Sequence, residues 1–302
     1  MNRPVRQTLV WMAILVFGGW ASAQSPEDVQ DAKRVIAKDN KWTKVLSPAT
    51  DLYPRYIADQ RRPTFAVSVA RLDESDIEGA SDDRMMLRLG GRYGFLRMHP
   101  PEQGGRGIQI DGELGILWQV DTASGLDVIG WDGIAGLHVA WAPGDRWAFR
   151  FGTVHNSAHI GDEFVEETGR RRLDYSRQEA LGSAAWSFSD KRGWVYGEAA
   201  YAYDYNEDAG MQPGRLECGA QYQGRGRYWN GRLAWYGAGD FSSWEEDDWK
   251  VNTSLQGGIV YPIPELGRSY RFGLEYYNGR SFMGEFFQSR ESYIGFGFWF
   301  DM

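Results

Sequence analysis

The chain has 302 residues, 42% hydrophobic and 15% aromatic, with 38 glycines, 14 tryptophans and a formal net charge of -8. The acidic balance argues against a nucleic-acid partner, and the low mean hydropathy excludes a helical membrane protein, which needs runs of roughly 20 apolar residues per span. A single cysteine, Cys218, excludes an internal disulfide and with it a small secreted disulfide scaffold.

Residues 1–23 read as a secretory signal peptide. Arg3 and Arg6 precede the apolar run from Thr8 to Trp20, and Ala21-Ser22-Ala23 fits cleavage before Gln24. Residues 24–62 read as a periplasmic appendage. From Gln24 to about Asn40 the pattern predicts a short helix, with Ser25 able to cap and Pro26 in the first turn. The following LYPRYIADQRRP carries two prolines and no period, and predicts an irregular linker.

From residue 63 to 302 the period changes to two. Phe65/Val67/Val69, Leu87/Leu89/Tyr93/Phe95 and Leu137/Val139/Trp141 alternate with polar positions such as Arg88, Arg92, Glu113 and His138. The same alternation runs to the end of the chain and predicts about 12 strands of membrane-crossing length, an even number as single-chain bacterial barrels require. Compact turns, such as Pro143-Gly144-Asp145, alternate with longer acidic loops, such as Gly161 to Asp174 and Asn206 to Pro213. Short periplasmic turns and longer outer loops are the mark of an outer-membrane barrel. The fold expected is therefore all-β, a closed antiparallel transmembrane β-barrel with a short N-terminal helical segment.

In such a barrel the aromatic face of each strand meets lipid and the charged face meets the lumen. Arg88, Arg92, Glu113, Arg150 and Glu217 are expected inside, pairing with opposite charges, because unpaired buried charge is costly. A lumen of about 12 strands filled in this way leaves two states open, a selective pore and a plugged lumen, of which the plugged one is expected.

One strand departs from this pattern. In WAFRFGTVHNSAHIGDEF, Trp147, Phe149 and Phe151 share a face with Thr153, His155, Ser157 and His159. Polar side chains on a lipid-facing row are penalised, so this row calls for a chemical reason. His155 and Ser157 lie roughly 7 Å apart along the backbone, close enough for side chains to meet. An imidazole can take the serine proton, and the serine can then attack an ester carbonyl. On the next strand parity turns Ser176 and Gln178 outward, making Gln178 the candidate orienting group, with Asp174 as the carboxylate alternative. The backbone N–H after Ser157 is a candidate oxyanion donor, and a cation such as calcium held by Asp162 or Glu163 is another candidate electrophile. His155 and His159 are about 13 Å apart on an extended strand, too far to share one ion.

His155-Asn156-Ser157 on an outward strand resembles the His-x-Ser of outer membrane phospholipase A and of the lipid A deacylases. In the phospholipase an outward Asn on the following strand completes the triad; Gln178 stands in that place here. The resemblance implies an acyl-ester hydrolase acting on outer-leaflet lipids, with Ser157 as nucleophile and His155 as base. The alternative is a non-enzymatic structural, pore or transport barrel, in which HNSAHIGDEF anchors an outer loop and His155 and His159 bond loop carboxylates or lipopolysaccharide phosphate. A wider resemblance, carried by LYPRYIADQRRP, HNSAHIGDEF, YSRQE, EYYNGRSFMGEFF and FGFWFDM, is to a bacterial family of outer-membrane-type proteins known only as a domain of unknown function. The final strand, with Ile294, Phe296, Phe298, Phe300 and Met302 on one face, resembles the signal read by the barrel-assembly machinery. The partners expected are outer-membrane lipids, lipopolysaccharide and that machinery.

Overall fold

The computed structural model describes residues 34–38, 41–101, 105–226, 228–263 and 268–301. The signal peptide, most of the expected N-terminal helix and Met302 lie outside these residues. The described part of the expected helix is a strand: β1 (Arg34–Lys38) pairs antiparallel with β2 (Thr43–Leu46), Val35 opposite Val45. β2 in turn pairs with the lower end of β4 (Asp83–His99), Thr43 opposite His99. An incomplete apolar stripe gives an isolated helix little to bury, so pairing with an existing sheet prevails.

Among the described residues, twelve strands close into one antiparallel barrel. They are β3 (Phe65–Ser75), β4, β5 (Gly107–Asp121), β6 (Asp127–Ala142), β7 (Trp147–Ile160), β8 (Ser176–Phe188), β9 (Gly193–Tyr205), β10 (Gly214–Gln223), β11 (Ala234–Trp244), β12 (Val251–Ile263), β13 (Arg268–Arg280) and β14 (Arg290–Asp301). β14 pairs with β3, Phe298 opposite Val67, and β4 with β5, so the ring of twelve strands has no open seam. A short helix, α1 (Asp162–Thr168), sits in the loop between β7 and β8. That loop is at the end of the barrel opposite β1 and β2.

The outside is apolar, with Leu114 70%, Phe151 56% and Phe296 54% exposed, whereas Arg88, Arg92, Glu113, Arg150 and Glu217 are all buried on the inner side. The strand parity expected from alternation is the parity observed, and an exterior of this kind belongs in lipid. Replacing Phe151 by Arg puts a charge on the lipid face and should cost about 2 to 4 kcal/mol of folding stability. Unfolding of the two proteins in the same detergent micelles checks this; equal midpoints would contradict it.

The expected periplasmic linker lies elsewhere: residues 52–62 run inside the lumen. Leu52, Tyr53, Tyr56, Ala58 and Gln60 are buried there. Tyr56 stacks on Tyr196 of β9 at 3.8 Å, and its hydroxyl donates to Glu198 at 3.2 Å. The Ile57 N–H donates to Gln221 at 3.1 Å, and the Ser254 hydroxyl donates to the Ala58 carbonyl at 2.6 Å. The centre of the plug is Arg62, with Glu198 at 2.6 Å, Asp59 at 2.8 Å, Glu217 at 3.6 Å and Glu113 at 3.7 Å. Arg150 and Arg215 reach the same Glu198 at 2.6 and 2.7 Å.

The charged inner faces therefore select a segment that brings matching charge and hydroxyls. The prolines help, because each removes a backbone donor that an irregular buried segment would otherwise have to satisfy. A cavity lined by Asp59, Arg62, Glu179 and Glu217 has a volume of about 50 Å³, room for water.

Candidate lipid-facing site on β7, β8 and β9

β7 changes character along its length because its outer row passes from the hydrocarbon band toward the rim. Ser157 is roughly 10 Å below the strand end at Ile160, counting three residues of extended chain. On this row His155 and His159 are exposed and Ser157 is half-buried. The intervening Asn156 points inward, where its amide donates to Asp132 at 3.2 Å and its carbonyl accepts from Arg61 of the plug at 2.9 Å. With Asn156 inside, strand alternation puts the two flanking side chains outside.

The ladders place the neighbours. Across β8, His155 stands opposite Gln178 and Ser157 opposite Ser176. Across β6, Ser157 stands opposite Gly133 and His155 opposite Ala135. Both of these β6 neighbours are small, and the position of a Cβ on Gly133 would lie 3.4 Å from Ser157 Oγ. The side chains of His155 and Ser157 have no hydrogen-bond partner among the described residues, each other included, so both are uncommitted. Resting catalytic pairs are often loose in this way and tighten with substrate.

The half-buried Gln178 is committed at one end: its Nε2 donates to Asp204 Oδ2 at 2.6 Å. Asp204 is a residue that the sequence pattern hides. Ala200 and Ala202 are buried on the inner side of β9, so strict alternation sends Asp204 inward as well. A bulge intervenes, with Gln178 opposite Asp204 but Glu179 opposite Ala202. The extra residue, Tyr203, puts both Tyr203 and Asp204 outside, as bulges beside functional sites do. Tyr203 in turn shares a 2.8 Å hydrogen bond with Thr153 of β7.

The other expected site residues are dispersed. Asp174 is exposed in the loop before β8, with a left-handed backbone (φ 54), and is not brought to His155. His159 is taken by Trp131, whose ring lies 4.2 Å away. The Ala158 N–H, expected as an oxyanion donor, instead donates to the Tyr175 carbonyl at 3.0 Å; in a barrel, sheet N–H groups are spent on neighbouring strands.

Asp162 and Glu163 are exposed in the first turn of α1, and Asp162 is paired with Arg172 at 2.5 Å. Two adjacent carboxylates, one already paired, fall short of the roughly six to eight oxygens that calcium takes. The described acids that converge lie in the lumen: Asp59, Glu217 and Asp240, with carboxylate oxygens within 4.8 Å of one another. Those three are remote from the lipid-facing row.

Beside the row a groove of about 410 Å³ opens at the rim, lined by Trp118, Trp131, His159, Asp162, Glu163 and Arg172 among others. It combines two indole rings with His159, the Arg172–Asp162 pair and the carboxylate of Glu163.

Solved structures with this architecture include outer membrane phospholipase A from Escherichia coli, at 12% identity and TM-score 0.52, covering 79% of this chain and 92% of that one. The Salmonella typhi outer membrane phospholipase dimer with bound calcium matches at 11% and 0.52, covering 83% and 95%. LpxR from Salmonella typhimurium aligns at 12% with a TM-score of 0.40, covering 78% and 99%. At such identities the likeness to the phospholipases is one of fold. No curated protein matches the sequence. The model of a family described as a protein of unknown function, DUF1207, matches residues 17–302.

Proposed function

The chain belongs to the DUF1207 family, which brings a fold and no activity, and on that premise we propose that it is an outer-membrane hydrolase of lipid acyl esters. The observation that carries this reading is the register: His155 faces Gln178 directly, with Ser157 on the same lipid-facing row. In this reading Ser157 Oγ attacks the ester carbonyl while His155 takes its proton. The same imidazole returns that proton to the departing alcohol, leaving an acyl-serine that water then hydrolyses by the same route. Gln178 accepts a hydrogen bond from the imidazole N–H and fixes its orientation. Ser176, directly across from Ser157, supplies the hydroxyl donor for the developing oxyanion.

The fold likeness to outer membrane phospholipase A agrees with a lipid substrate. Export through the leader at residues 1–23 and insertion of residues 63–302 by the barrel-assembly machinery belong to the same proposal. The alternative of a transport barrel is less favoured, because the plug fills the lumen.

The test is fatty acid release by the purified barrel in mixed micelles containing phospholipid or lipid A. The wild type should release fatty acid from at least one of them, and Ser157→Ala should release no more than empty micelles. Equal release by the two proteins would end the hydrolase reading.

A further inference from the structure

Resting on the hydrolase reading, the geometry points to Asp204 as a positioning residue that completes the relay Asp204–Gln178–His155–Ser157. A glutamine can orient an imidazole only if the right end of its amide is presented. The side chain carries a carbonyl acceptor and an NH₂ donor of nearly the same shape, and a freely turning amide offers the wrong end half of the time. With the NH₂ turned to His155, two donors would meet, or the proton would be drawn to the wrong ring nitrogen.

Asp204 removes this ambiguity. A carboxylate oxygen accepts and does not donate, so the 2.6 Å contact from Gln178 Nε2 fixes which end of the amide faces β9. The Oε1 end is then left for the His155 side, because His155 lies across β7 and Asp204 across β9 on the same row.

The fold gives up regularity to achieve this. Without the bulge at Tyr203, Asp204 would face the lumen, where carboxylates are already plentiful. The bulge turns it outward, one residue from the end of β9, onto the row that carries Gln178. The bond from Tyr203 to Thr153, two residues from His155 on the same face, ties the bulged segment to β7 as well. A bond between glutamine and aspartate that served only stability would not require the aspartate to be brought to the outer surface.

The experiment compares Asp204→Ala, Asp204→Asn and Asp204→Ala in a Gln178→Glu background, all as full barrels in micelles and all checked for heat-modifiable migration. Asp204→Ala should lower kcat by about 10- to 100-fold with KM unchanged. Asp204→Asn keeps an acceptor oxygen but adds a donor of the same shape, so it should recover only part of that loss. In the Gln178→Glu background a carboxylate has no wrong end, so Asp204→Ala should cost nothing. A loss of similar size in both backgrounds would overturn the inference, as would full activity of Asp204→Ala.

A second readout does not depend on turnover. The ¹⁵N shifts of the His155 ring in the wild type should report one neutral tautomer, and in Asp204→Ala a mixture of two. A single tautomer in both proteins would overturn the relay even if the wild type hydrolyses lipid. Tautomer mixing in a barrel that releases no fatty acid would support the relay while removing the hydrolase reading.

Discussion

Alanine at Ser157, at His155 or at both should reduce acyl release by the same factor, about four to six orders of magnitude in kcat. Nucleophile and base act as a unit, so once either is gone the other has nothing to act on, and losses of this kind do not add. Each single variant should fold as the wild type does, since Ser157 is half-buried on the outer surface, His155 is exposed there, and neither side chain bonds to another described residue. The measurement is initial-rate fatty acid release by the three variants against the wild type. Two single losses that multiply in the double variant would mean that the residues contribute independently, through binding or stability, and not through one proton transfer.

Arg62→Ala should give the largest loss of stability. The side chain meets Glu198 at 2.6 Å and Asp59 at 2.8 Å, with Glu217 and Glu113 within 3.7 Å. Its removal leaves buried carboxylates short of a cation, a defect that costs about 3 to 5 kcal/mol when one partner of a buried pair is deleted. Arg150 and Arg215 share Glu198 and soften the loss at that one carboxylate. Denaturant unfolding in micelles, followed by tryptophan fluorescence, should therefore show a clear fall in midpoint. Because Arg61 of the same plug bonds Asn156 at 2.9 Å, a loosened plug should also lower hydrolysis, by releasing the residue between His155 and Ser157. An unchanged midpoint would mean that the plug carries little of the barrel's stability.

The barrel was legible in the sequence because lipid imposes a strict rule: each strand must present alternate residues to hydrocarbon, and Phe65, Leu89, Leu114, Phe151 and Phe296 obey it. The lumen charges followed from the same parity. The plug was not legible as a plug, since LYPRYIADQRRP has no period. The available signal was chemical: Tyr53, Tyr56, Asp59, Arg61 and Arg62, clustered immediately before the first barrel strand of a chain whose lumen needed partners. Asp204 is hidden for the opposite reason: one extra residue, Tyr203, reverses the parity after it, and alternation alone carries no mark of a bulge. The oxyanion assignment to the N–H after Ser157 failed on bookkeeping, for in a closed sheet that group already has a carbonyl partner in Tyr175. The β1–β2 hairpin was missed because a short segment with weak periodicity takes its structure from the edge it meets.

The central claim is that Ser157 is a nucleophile activated by His155 on the lipid-facing side of the barrel. The most direct measurement is covalent trapping: the folded barrel in micelles is treated with a long-chain alkyl sulfonyl fluoride, and the modified residue is located by mass spectrometry. The account predicts one adduct, on Ser157, formed at a rate that collapses in His155→Ala. An unmodified Ser157, or one modified equally fast without His155, would contradict it.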